Sequence, residues 1–281
     1  MKTYLFIIPL TPQFFLNFNR AEIQRKSFEL LLAQSYSNWQ AIIIGDELPL
    51  ILIDNKKFIH VKYEGIKEEK LQVATKYILE NKVKADYIIR LDDDDFFNPF
   101  ILKEIANKDF DIYTDKFHTF FEFGNQVFSR QIRLWFPNTC IHKFEHAMAV
   151  FGTLANPNIK KINTQVRLIE NDHSKLHPYY KGKKIMYSNR NNPVYVRVLN
   201  RESITAKNSL NYDIYLKQFG YWQTKKLKNF TDIYDVNRKN KLKLTYPLKE
   251  RIYRFFQQLH VNLLYKNLLF KTINNTTKIT L

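Results

Sequence analysis

The sequence predicts an α/β fold built on a mostly parallel central sheet flanked by helices on both faces. Three observations carry this. Short apolar runs alternate with segments of helical spacing through the first half of the chain, the runs are apolar throughout, as in Ile42-Ile43-Ile44, and two of them end in acid. Continuous apolar strands fit a sheet covered on both sides better than one with a wet face.

Tyr4 to Pro9 (YLFIIP) reads as the first strand. This apolar opening, extended to Leu10, is too short for a signal-peptide core, lacks a small-residue cleavage site and runs into Thr11-Pro12. Arg20 to Gln34 follows with Phe28, Leu31 and Leu32 near helical spacing, then Gln40 to Gly45 (QAIIIG) as a strand, completing a β-α-β unit. Phe58 to Tyr63 reads as a strand, Glu68 to Lys82 as a helix with Leu71, Ala74 and Ile78 on one face, and Tyr87 to Leu91 as another strand. Phe117 to Phe136, with Phe120, Phe121, Phe123, Phe128 and Trp135, reads as strands rather than helix. Lys175 to Asn192 is polar and basic and reads as a mobile loop, and Val194 to Leu199 alternates like a strand. Past Asn208 the pattern turns helical, ending in an amphipathic helix over 247–271 with Leu248, Ile252, Phe255, Phe256, Leu259 and Leu263 on one stripe and Pro247 in its first turn.

Composition narrows the class. With 281 residues, 45% hydrophobic, the chain can bury one large or two small cores, which excludes intrinsic disorder. Six Gly and nine Pro, without a period, exclude collagen-like and low-complexity chains. A single cysteine, Cys140, excludes an internal disulfide and a multi-cysteine zinc site, and favours a reducing compartment. The best candidate membrane span, Leu263 to Phe270, is broken by Lys266 and Asn267, so an integral membrane protein is not expected. The net charge of +17 is uneven: residues 1–150 carry 19 Lys/Arg against 20 Asp/Glu, and residues 151–281 carry 25 against 7. The basic back half expects anionic company.

The chemistry concentrates at strand ends. Arg90-Leu91-Asp92-Asp93-Asp94-Asp95 puts four adjacent carboxylates after a buried strand, and Asp46-Glu47 follow an earlier one. In open α/β sheets ligands bind outside the carboxyl ends of the strands. Crowded carboxylates call for a cation, and hard oxygen ligands suit Mg2+ or Mn2+ bridging a substrate diphosphate. The plainer alternative is a solvated acidic turn capping the helix that follows near Pro99.

Taken with an apolar first strand, "LLAQSYSNWQAIIIGDE" and "RLDDDDFFNPF" resemble the inverting nucleotide-sugar glycosyltransferases of the GT-A (Rossmann-like) fold. Trp135 to Glu145 (WFPNTCIHKFE), Glu170 to Leu176 (ENDHSKL) and Pro193 to Thr205 (PVYVRVLNRESIT) resemble the rhamnosyltransferase-like family of bacterial polysaccharide synthesis. The resemblance covers about residues 1–205. It implies a glycosyltransferase domain over 1–205, with a nucleotide-binding half 1–115 and an acceptor half 116–205, and leaves 206–281 as a basic helical C-terminal extension. It further implies that Asp46 contacts the base or ribose, that Asp94 is a metal ligand, and that Asp92 contacts the metal or the ribose. By the same resemblance Asp93 and Asp95 belong to the nucleotide-sugar site, Asp95 holding its loop or touching the sugar. Arg90 pairs either with a donor phosphate or with the aspartates. Relatives carry a His where this chain has Asn200, leaving Asn200 or His173 as a further metal ligand. Inversion needs a general base, for which Glu145 and Asp172 are the candidates. Each also has a structural reading, Glu145 as a partner of His142 or His146 and Asp172 as a turn residue.

The implied function is metal-dependent transfer of a sugar from a nucleotide-diphosphate donor to a growing surface glycan: capsule, O-antigen or lipooligosaccharide. The acceptor would be lipid-linked, with the protein cytoplasmic and peripheral on the inner membrane face. The terminal helix 247–271, with Lys249, Arg251, Arg254, Lys266 and Lys271, suits either an anionic leaflet or docking on the core. Lys181, Lys183, Lys184 and Arg190 read as one loop able to close over a diphosphate, or as a solvated run. A nucleotidyltransferase would show a glycine-rich loop after the first strand, and Leu10 to Asn19 has no glycine. The rival reading is a nucleic-acid-binding protein or metal-dependent nuclease using the basic half. No recognised binding motif accompanies that charge, and 32 Lys against 12 Arg suits diffuse anion attraction, so no nucleic acid is expected.

Overall fold

The computed structural model describes residues 1–132, 140–149, 152–153, 156–157, 179–203, 206 and 211–235. The expected opening forms: β1 (Tyr4–Pro9), α1 (Phe18–Leu32), β2 (Trp39–Gly45), β3 (Phe58–Lys62), α2 (Lys67–Glu80) and β4 (Tyr87–Arg90). Asn17 caps α1 by accepting the Arg20 N–H, and Glu69 folds back to accept the Ile66 N–H at the start of α2.

After β4 come β5 (Phe96–Phe97), α3 (Ile101–Ile105), β6 (Ile112–Thr114), β7 (Phe117–Glu122), β8 (Val127–Ile132), β9 (Cys140–Lys143) and α4 (Phe144–Met148). A two-stranded pair, β10 (Gly152–Thr153) with β11 (Asn156–Pro157), precedes β12 (Ile185–Tyr187), β13 (Tyr195–Leu199), a short helix Tyr212–Lys217 and β14 (Trp222–Gln223).

Seven strands form the central sheet in the order β12-β6-β9-β4-β1-β2-β3. All run parallel except β9, which is inserted antiparallel between β4 and β6. Residues alternate faces along β1. Tyr4, Phe6 and Ile8 pack with Phe28 and Leu31 of α1 and with Ile101 and Ile105 of α3, whereas Leu5 and Ile7 pack with Leu71, Ala74 and Ile78 of α2 and with α4. The sheet is therefore buried on both sides, as its uninterrupted apolar strands require.

A second sheet, β14-β8-β7-β13-β5, lies on the outer side of α1. Ile23 and Leu30 of α1 join Phe96, Phe121, Phe128 and Val196 in its core. Helix α1 is thus packed between two sheets. At roughly 1.5–3 kcal/mol for each large apolar side chain fully buried, both of its faces hold it in place.

Two expectations are corrected here. Within 175–192, residues 185–187 are not loop but the edge strand β12, paired in parallel with β6. Past Asn208 the helical pattern is realised only in part, since β14 pairs with β8, and Leu227, Phe230, Ile233 and Tyr234 enter the second core. Trp135 and the helix expected over 247–271 lie outside the described residues.

Candidate functional site

The parallel strands direct their carboxyl ends to one edge. The first crossover loop begins there, over the end of β2: a Cβ on Gly45 would lie 2.7 Å from the Leu10 Cβ, so only glycine admits this approach. A small pocket opens beside it, lined by Leu10, Thr11, Gln13, Gln24, Asp46, Glu47 and Pro49. Asp46 faces this pocket, 3.9 Å from the ammonium of buried Lys70, which also donates to the Leu10 carbonyl at 3.0 Å.

The aspartate run continues the same edge from β4, and its four members do different work. Asp93 is buried, and both its oxygens are taken: the Thr11 N–H and hydroxyl donate at 2.7 and 2.8 Å, and Gln24 Nε2 at 2.6 Å. Asp95 is buried as well, accepting from the Val198 N–H at 2.7 Å and from the Tyr195 hydroxyl. Burial and then the neighbouring Asp94 charge push both carboxyls upward. Asp93 therefore ties the first loop and α1 to the strand end, and Asp95 ties β13 to it. Asp93, expected at the donor site, has its oxygens engaged inside the protein, and Asp95, expected to hold its loop or touch the sugar, is engaged by β13.

Asp92 and Asp94 face the crevice, with side chains 13% and 25% exposed. Lys67, at the start of α2, pairs with Asp92 at 2.6 Å, and Arg90 adds contacts at 3.3 and 3.4 Å. Burial alone would raise the Asp92 carboxyl; the Lys67 and Arg90 charges reverse this and hold it well below the usual carboxylate range. Arg20, on α1, pairs with Asp94 at 2.9 Å and reaches the Thr11 hydroxyl at 3.1 Å. Arg90 is buried against Asp92, the second of its two expected roles.

The sequence reading expected a metal to neutralise this crowd, yet three side chains from separate elements already do so in part. Arg20, Lys67, Lys70 and Gln24 were not anticipated; the available signal was their place in the first two turns of the two crossover helices. Among the described residues no group of three or more His, Cys, Asp or Glu converges as a metal centre. Two crevice-facing carboxylates do fit a Mg2+ or Mn2+ ion that keeps its waters and is shared with substrate phosphates. Asn200 ends β13 with its side-chain oxygen accepting the Glu202 N–H at 2.8 Å, a turn contact. Asp172 and His173 lie outside the described residues.

Glu145 is not brought to this edge. β9 runs antiparallel to β4 with Lys143 opposite Tyr87, so α4 starts at the amino ends of the parallel strands. There Glu145 is exposed and pairs with Lys143 at 2.8 Å, a hydrogen bond that lowers its carboxyl. The register thus separates Glu145, expected as a general base, from the aspartate edge. The basic loop is divided too: Lys184 sits at the amino edge beside Asp109, whereas Arg190, past β12, stacks over Phe117.

A further carboxylate, Asp115, closes β6 at the site's edge. It is fully buried, accepts from Ser188, Val194 N–H and Tyr195 N–H, and is raised by burial to about 7.

No protein-family model matches the chain, and no curated protein matches it in sequence. Solved structures that resemble it include S. aureus TarS 1–349 in complex with UDP-GlcNAc, 12% identical, covering 77% of this chain and 65% of that one, with a TM-score of 0.46. GlyE, a glycosyltransferase of Streptococcus pneumoniae TIGR4, is 10% identical over 83% of this chain and 62% of its own, with a TM-score of 0.38. The inositol-1-phosphate CTP transferase of T. maritima is 12% identical over 76% and 94%, with a TM-score of 0.41. This chain spans less than two thirds of the length of the TarS structures, 60% and 61% in two further cases. Among the described residues no helix is long and apolar enough to cross a membrane.

Proposed function

We propose that the protein is a nucleotide-sugar glycosyltransferase that uses the carboxyl edge of its central sheet to bind a nucleotide-diphosphate donor. The observation that carries this reading is the conjunction of the Asp46 pocket with two crevice-facing carboxylates, Asp92 and Asp94, ringed by Arg20 and Lys67. A carboxylate beside a pocket accepts hydrogen bonds from ribose or base, and mobile basic side chains answer a diphosphate.

Asp94, with Asp92, would hold the Mg2+ or Mn2+ that accompanies the diphosphate. When bound, that ion supplies charge to the departing diphosphate. Lys67 and Arg20 release their carboxylates as the donor enters and turn to its phosphate oxygens. Lys70 keeps the Leu10 carbonyl and Asp46 in register. Asp172 stands as the candidate base that takes the acceptor hydroxyl proton during inversion. The acceptor is a growing surface glycan, lipid-linked at the inner membrane face.

The test is a thermal-shift panel of UDP, GDP, CDP, ADP and dTDP, each with and without Mn2+, on wild type and Asp94→Asn. One nucleotide stabilising the wild type, more strongly with metal, and losing that increment in Asp94→Asn is the expected result. Transfer should fall at least about 100-fold in the variant while its melting temperature holds or rises, because like-charge repulsion is relieved. No response to any nucleotide, alongside a shift with single-stranded nucleic acid, would replace this reading with the nucleic-acid one.

A further inference from the structure

Among the described residues, six of the eleven exposed large hydrophobic side chains fall in two loops. Phe14, Phe15 and Phe18 follow β1, and Leu50, Ile51 and Ile53 follow β2. The two loops meet: Gln13 and Pro49 line the same pocket, so the residues beside them border one mouth. Phe14, Phe18 and Leu50 are 74%, 80% and 87% exposed, so they project as tips and cannot be lining a groove.

The local sequence removes what a hydrocarbon phase rejects. No charged residue occurs from Leu10 to Asn19 or from Leu48 to Ile53. Both loops are wound into single 3-10 turns, Gln13–Phe15 and Leu50–Leu52. These satisfy backbone groups internally: Phe15 N–H donates to Pro12 O, Leu16 to Gln13, Leu52 to Pro49 and Ile53 to Leu50. Unsatisfied backbone polar groups are what keep loops out of a bilayer. Exposed apolar tips with closed turns suit insertion into lipid better than the side of another protein.

We propose that the Phe14, Phe15, Phe18, Leu50, Ile51 and Ile53 rim inserts into a lipid bilayer and seats the carboxyl edge of the sheet against the membrane surface. This proposal draws on none of the residues 247–271 and stands whether or not the sugar-transfer reading holds.

The experiment is co-sedimentation of the full chain with vesicles of phosphatidylcholine and phosphatidylglycerol. Wild type is compared with the Phe14→Ser/Phe18→Ser/Leu50→Ser variant, and the nucleotide thermal shift is read on both. The variant should partition at least about tenfold more weakly at unchanged nucleotide response. Equal partitioning, or no vesicle binding by wild type, overturns the proposal. So does a wild-type dimer that the variant dissolves without any change in vesicle binding, because a second copy would then cover the rim. If the triple variant does not fold, Leu50→Ser alone should still weaken partitioning severalfold, and no change in that variant overturns the proposal equally.

Discussion

The two edges of the central sheet carry similar residues in opposite conditions. At the amino edge Asp111 pairs with His146 at 2.7 Å, Glu145 with Lys143 at 2.8 Å and Lys184 with Asp109 at 3.3 Å, with Glu145 and Asp109 side chains 65% and 74% exposed. At the carboxyl edge Asp93, Asp95 and Asp115 are buried, and Asp92 is nearly so. Water already solvates the Glu145–Lys143 and Lys184–Asp109 pairs, and such pairs contribute about 0–1 kcal/mol. The second set must be satisfied by the protein, so its members fix the loops that shape the crevice. Strand direction and burial, rather than the count of acids and bases, separate the candidate site from a polar surface.

The comparison breaks or sharpens through four substitutions. Arg90→Met should cost about 3–5 kcal/mol in urea denaturation, because it removes a buried partner of Asp92. A loss of less than 1 kcal/mol would show that the carboxyl edge resembles the other one after all. The next effect is a pH slope. Asp115 sits near 7 when folded, above the ordinary carboxyl near 3.9, so the native state holds a proton that the unfolded chain releases. Stability should therefore fall as pH rises from about 4 to about 7 and level off above, by a few kcal/mol at roughly 1.4 kcal/mol per unit. Denaturation midpoints of Asp115→Asn across that window should show a shallower slope, the remainder belonging to the raised carboxyls of Asp93 and Asp95, and an identical slope in the variant would assign all of it elsewhere.

Lys67→Met comes third. Its side chain is 36% exposed and Arg90 remains with Asp92, so stability should change by about 1 kcal/mol or less while titration calorimetry shows weakened nucleotide-diphosphate binding. Unchanged affinity would confine Lys67 to a surface pair. Glu145→Gln should be smallest, within about 0.5 kcal/mol, with transfer unaffected; a clear loss of turnover would restore Glu145 to the chemistry.

Much of the fold was legible because β1, β2 and β4 are buried on both faces and therefore read as unbroken apolar runs. Helix α1 was legible only on one side: Phe28 and Leu31 meet the central sheet, but Ile23 and Leu30 face a second sheet whose strands come from distant sequence. β12 was hidden because its three residues, Ile185-Met186-Tyr187, are too short an apolar run to stand out within a basic stretch. At the site, the strand-end aspartates announced themselves by position. Which of them face solvent did not, because that depends on Thr11, Gln24, Tyr195 and Val198, contributed by the first crossover loop, α1 and β13. Glu145 was misplaced because nothing local tells that β9 runs backwards.

That reversed strand bears on biosynthesis. β4 and β6 are made well before residues 140–143, yet they are joined to one another only through β9. A growing chain that has emerged from the ribosome as far as β8 holds one edge of β4 and both edges of β6 unpaired, the kind of surface on which nascent proteins aggregate.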